Sequence, residues 1–139
     1  MLPRDIASEI VDEFSFFDDW ADRYQHLIDQ GRHLPALPPR YLHDDYVLKG
    51  CQSVVHFASE IDDEGQLVFH AGSDAAIVQG LIALLVRVYS GQAPQAILEQ
   101  DSGFLADIGL DKHLSATRKT GLAAMVSAIH EAAIKAQGS

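Results

Sequence analysis

Between Ser73 and Tyr89 the chain carries a segment that must be surrounded. Ile77, Val78, Leu81, Ile82, Leu84, Leu85 and Val88 are spaced so that a helix through them is apolar on nearly every side. A surface helix keeps a polar face, and one that lacks it belongs at the centre of a core. Ser73-Asp74 reads as the cap of this helix and Ser90-Gly91 as its end. Gly80 in its middle costs about 1 kcal/mol relative to alanine, which predicts a close neighbour there. The rest of the chain must wrap this helix, and 139 residues suffice for one domain, 1–139.

The wrapping elements are legible as periodicities. Ile6, Ile10, Phe14 and Phe17 make one apolar face of an N-terminal helix. A second helix is expected over 17–29, with Trp20, Tyr24, Leu27 and Ile28 inward and Gly31 as its stop. Pro35, Pro38 and Pro39 make 34–45 an extended connection. Residues 53–61 alternate as a strand and 66–71 form a second, with Gly65 in the turn. A hairpin pairing Ile61 with Gln66 is expected, which puts His56 and His70 on opposite faces; an odd-length turn would bring the two together. Residues 46–48 add a short third strand. Pro94 opens a short helix, 104–108 forms another turn, and Ser115 caps a last helix to about Ala136. Its core face is Leu122, Met125, Val126, Ile129 and Ala133. The expected fold class is α+β, a small antiparallel sheet of about three strands covered by helices.

Composition removes several functions. Twenty acidic residues against ten basic ones give a net charge of −10. Nucleic-acid binding draws its affinity from a basic footprint, and no Lys/Arg cluster supplies one. The longest greasy stretch, 80–88, carries Arg87 and falls short of the roughly 18 residues of a membrane span. Met1-Leu2-Pro3-Arg4-Asp5 is not the basic-then-apolar start of a signal peptide, so a cytoplasmic location is expected. The sequence is compatible with a homodimer.

The chain has one cysteine, Cys51, so it can form neither an internal disulfide nor a dithiol switch. A lone cysteine is often a small, inert hydrophobe. Its setting here is Val47-Leu48-Lys49-Gly50-Cys51-Gln52-Ser53, between the proline-rich connection and the first long strand. Gly50 gives the backbone freedom, and a cation as close as Lys49 favours the thiolate. Gln52 and Ser53 either hydrogen-bond around this loop or begin the strand. Cysteine hydrolysis needs a histidine base in reach of the thiol, and no signature of that kind is present. A metal or cluster site needs several ligands, so none is expected. Acceptance of a sulfane sulfur as a persulfide asks least, because one thiolate attacks the donor's outer sulfur as it would a disulfide.

Four segments resemble the SufE family, which includes the closely similar CsdE proteins. They are Gly31-Arg32-His33-Leu34-Pro35, Lys49-Gly50-Cys51-Gln52-Ser53-Val54-Val55, the run from Gly72-Ser73-Asp74 to Gly80-Leu81-Ile82-Ala83, and Leu114-Ser115-Ala116-Thr117-Arg118-Lys119-Thr120-Gly121-Leu122. His56 stands where the family often has Trp, and Gln79 replaces its usual Lys. The resemblance implies a fold similar to the IscU-type scaffolds, without their three cysteines. It implies that Cys51 takes sulfur from a cysteine desulfurase of SufS or CsdA type, stimulates that enzyme, and delivers the sulfur to an iron–sulfur scaffold complex or another recipient. The chain would be an accessory sulfurtransferase-type carrier rather than a stand-alone enzyme. Pyridoxal phosphate would belong to the desulfurase, and this chain would carry no cofactor. The alternative is a regulatory binding module of a desulfurase in which Cys51 is structural.

Two further residues have double readings. Asp74 is a first-turn acid stabilised by the helix dipole, and it can also steady the Cys51 loop. Arg118, in the first turn of the last helix, opposes the macrodipole by about 0.3–1 kcal/mol, which suggests a tertiary partner or docking contact. Gly80 and Gly121 are expected to permit close helix packing.

Overall fold

A computed structural model describes residues 1–138 of the chain. Helix α1 (Pro3–Ser15) and helix α2 (Trp20–Arg32) lead into the proline-rich connection. Strands β1 (Val55–Ile61) and β2 (Leu67–Ser73) form an antiparallel hairpin. Helix α3 (Ala76–Tyr89) follows, then the short α4 (Pro94–Glu99), α5 (Gly103–Asp107) and α6 (Leu110–His113), and finally the long α7 (Ala116–Gln137). None of these helices is long and apolar enough to cross a membrane.

Helix α3 occupies the centre. Leu81, Leu84, Leu85 and Val88 are buried, and α1, α2, β2 and α7 all pack against it. Its start differs by a residue or two from expectation. Ala75 takes the N-cap position with no side-chain cap; Ser73 Oγ instead accepts from the Ala75 N–H, and Gln79 Oε1 reaches back to accept from the Ser73 N–H at 2.8 Å. Asp74 is therefore no cap, and it is exposed.

The close neighbour predicted at Gly80 is α2. A Cβ on Gly80 would lie 2.4 Å from the Leu27 carbonyl oxygen, and one on Gly31 would lie 2.7 Å from the Gly80 nitrogen. Gly31 is thus a crossing residue buried inside α2, not a stop, and the helix continues to Arg32 because packing on α3 stabilises its last turn. The helix also starts later than periodicity suggests. Asp19 caps it, accepting from the Asp22 N–H at 2.9 Å.

The sheet has two strands, not three. Residues 44–46 close a 3-10 turn, and the expected third strand is reduced to a single bridge between Val47 and His56. The Leu48 N–H adds one hydrogen bond to the Val55 carbonyl at 2.8 Å. The hairpin register is also one residue off expectation. Ile61 pairs with Leu67 across a five-residue turn. Asp62 Oδ1 accepts from both the Glu64 and Gln66 N–H groups, and Gly65 takes φ +80°. His56 and His70 consequently share a face, opposite Gly72 and Ala58 respectively. His70 pairs with Glu60 at 2.8 Å. Among the described residues no group of three or more His, Cys, Asp or Glu side chains is placed to hold a metal ion.

The C-terminal third follows its reading closely. Ser115 caps α7, accepting from the Arg118 N–H at 3.2 Å, and Gly121, Leu122, Met125, Ile129 and Ala133 face the core. Helix α6 was not legible; Gly109, at φ +91°, starts it.

Candidate functional site

Cys51 lies in the loop that joins the Val47–His56 bridge to β1. Gly50 turns the chain with φ +95°, a conformation that L side chains adopt only at a cost. This turn folds the cysteine inward, so that its Sγ lies 3.6 Å from the Gly121 carbonyl on α7, within range of a weak S–H···O bond. The loop lies directly against Gly121. A Cβ there would sit 3.6 Å from the Cys51 Sγ and 3.8 Å from its Cα, in full contact with the loop.

The thiol opens on a recess of about 450 Å³. Gln52 and Ser53 line it from the loop, Ser115, Thr117, Arg118 and Gly121 from the start of α7, and Val78, Leu81, Leu122 and Met125 from the core. Cys51 is half-buried, and burial pushes its thiol up from the ordinary cysteine value. The thiolate assistance expected from Lys49 is not realised. Lys49 is exposed and does not line the recess, so water screens its charge. Among the described residues no imidazole lines this recess; His56 lies in a second recess with Leu42, Val54 and Asp74. Arg118 is exposed, and its Nη1 donates to the Tyr24 hydroxyl at 3.1 Å.

Residues 8–133 match the sequence profile described as the SufE Fe-S metabolism associated domain. The chain belongs to the SufE family. The solution structure of a hypothetical protein from Thermus thermophilus has the same fold, with a TM-score of 0.81 at 23% identity over 100% of both chains. In this SufE domain the four motif segments, distant in sequence, meet at two places. The Cys51 loop and the start of α7 meet at the thiol recess. The Gly31 segment and the Gly80 helix meet at the α2–α3 crossing, and the same helix also lends Val78 and Leu81 to the thiol recess.

Of the residues singled out in sequence, Gln52, Ser53 and Arg118 share the recess with Cys51, and Gly50 shapes the loop. Lys49 and Asp74 stand outside it. Ser115, Thr117 and Met125 were not singled out as site residues, and Tyr24 was read only as a core residue. One signal was available for the α7 group. Arg118 and Gly121 are three residues apart on a helix, which puts both on one face.

Proposed function

We propose that this SufE domain accepts a sulfane sulfur on Cys51 from the persulfide of a cysteine desulfurase, stimulates that enzyme, and passes the sulfur on for iron–sulfur cluster assembly. The observation that carries the reading is the placement of the only cysteine. It sits at the mouth of a recess on a glycine-turned loop, beside the α7 motif of the same family.

The transfer needs few groups. Cys51 gives up its proton to water or to a base of the donor site, and the thiolate attacks the outer sulfur of the donor's persulfide. The donor's S–S bond breaks and its inner sulfur leaves as a thiolate. Cys51 then holds one additional sulfur through a new S–S bond, with no external oxidant. In the resting loop, burial keeps the thiol protonated and weakly nucleophilic, which suits an acceptor that reacts only when docked. Gln52, Ser53 and Arg118 would line the sulfur's path. Pyridoxal phosphate chemistry stays with the desulfurase. A reducing compartment such as the cytoplasm suits the product, since persulfides are consumed by oxidants.

The half-burial of Cys51 also favours a second reading, a regulatory module whose cysteine is structural. Incubation with a cysteine desulfurase and L-cysteine separates the two. By intact mass the wild-type chain gains one sulfur atom; Cys51→Ser gains none and fails to stimulate desulfurase turnover. Stimulation by Cys51→Ser equal to that by wild type sinks the carrier reading and leaves the binding module.

A further inference from the structure

We propose that the Tyr24 hydroxyl is a latch that holds the Arg118 guanidinium away from the Cys51 thiol at rest, and that Arg118 turns to the sulfur when this hydrogen bond opens. The inference deepens the acceptor reading and rests on it only for the identity of the reacting thiol.

Three observations place the parts. First, Arg118 lines the same recess as Cys51. It lies one turn before Gly121, whose carbonyl contacts the sulfur at 3.6 Å. Residues three apart on a helix are neighbours on one face, within the span of an arginine side chain. Second, the guanidinium is not turned to the sulfur. Its Nη1 donates to Tyr24 Oη at 3.1 Å, across ninety-four positions of sequence. Third, Tyr24 is itself held. Its ring packs edge-on against Trp20 at 6.2 Å, and Trp20 stacks on His113 at 4.1 Å with the planes 9° apart. The hydroxyl therefore has a fixed position on α2, independent of the loop.

This arrangement accounts for an otherwise odd combination. The recess contains an arginine, yet the thiol is shifted upward by burial with no cation offsetting it. A guanidinium tied to Tyr24 leaves the thiol neutral; the same group beside the sulfur favours the thiolate. The latch is also weak enough to open. A single hydrogen bond from a charged donor is strong enough to hold the guanidinium at rest, and a docking partner can exceed it. Tyr24 is thus a positioning residue that acts through Arg118.

The test is the pH profile of Cys51 alkylation by iodoacetamide, a neutral reagent, on the isolated full chain. No desulfurase is involved, so this inference and the acceptor reading fail separately. Tyr24→Phe removes one oxygen and keeps the contact with Trp20, and its far-UV circular dichroism should match wild type. In Tyr24→Phe the freed Arg118 should move the midpoint of the profile about one unit to the acid side. Thiolate then rises about tenfold near neutral pH, each thiolate is about threefold less nucleophilic, and the net rate rises roughly threefold. Arg118→Gln alone, and Tyr24→Phe with Arg118→Gln, should keep the wild-type midpoint. An unshifted Tyr24→Phe, an acid shift that persists in the double variant, or a shift in Arg118→Gln alone would overturn the latch.

Discussion

Gly50 governs the direction of the Cys51 sulfur. At φ +95° an L side chain costs about 1–2 kcal/mol, and a Cβ there would also meet the Ala124 Cβ at 3.2 Å. Gly50→Ala should therefore lower the denaturant midpoint by an amount equivalent to about 1–2 kcal/mol, with an unchanged slope. An unaltered midpoint would mean that the loop relaxes freely, and that the glycine does not set the sulfur's position. Much of this residue-level picture was legible in sequence. A solitary cysteine excludes an internal disulfide and a dithiol switch without any coordinates. The sulfur's actual partner was not legible, because the Gly121 carbonyl lies seventy positions away and backbone carbonyls carry no sequence signal. The nearest cation in sequence, Lys49, misled for the same reason. Proximity along the chain put it near the thiol, and the turn at Gly50 left it in water.

At the scale of elements, the α2–α3 crossing is the joint on which the core is built. Alanine at position 80 gains about 1 kcal/mol of helix propensity. That gain is small against a Cβ placed 2.4 Å from a backbone oxygen that has no rotamer to escape into. Overpacking of this kind costs about 1–3 kcal/mol or more, so Gly80→Ala should be net destabilising by about 2 kcal/mol. A thermal midpoint equal to or above that of wild type would show that α2 can slide without loss. The central position of α3 followed from its apolar circumference, and the need for a neighbour at Gly80 followed from the cost of glycine. What periodicity could not separate was a glycine that ends a helix from one that lets a helix cross another. Gly31 fits both patterns, and only its contact with Gly80 distinguishes them. The hairpin slipped by one residue for a comparable local reason. Asp62 folds its carboxylate over the turn and accepts two backbone N–H groups, lengthening the loop to five residues.

Across the whole molecule, charged contacts tie the shell to the centre. Arg87, near the end of α3, reaches Glu13 on α1 through both guanidinium nitrogens, and Glu9 lies at 3.7 Å. The hydrogen bonds from Arg87 hold the Glu13 carboxyl below the usual carboxylate range, although burial works against them. A carboxylate whose native pKa is depressed stabilises the fold fully above its unfolded value, and that contribution is lost as pH falls through the native value. Stability should therefore fall from about pH 5 downward, where the unfolded chain begins to take up the proton first. Glu13→Gln should cost about 1 kcal/mol near neutral pH and flatten the decline between about pH 5 and pH 3, as read by denaturant midpoints at each pH. An equally steep decline in the variant would assign the acid sensitivity to other carboxylates. The α+β class was legible from the order of periodic segments; the reduction of the third strand expected at 46–48 was not, because the 3-10 turn at 44–46 takes its first residue and only Val47 bridges to His56. One bond at this scale has a wider consequence. The Leu48 N–H to Val55 carbonyl contact closes the neck of the cysteine loop immediately before the first strand pair. The six residues between are a clasped cassette. A change confined to these six residues leaves the pairing of every strand residue from Val55 onward at its count.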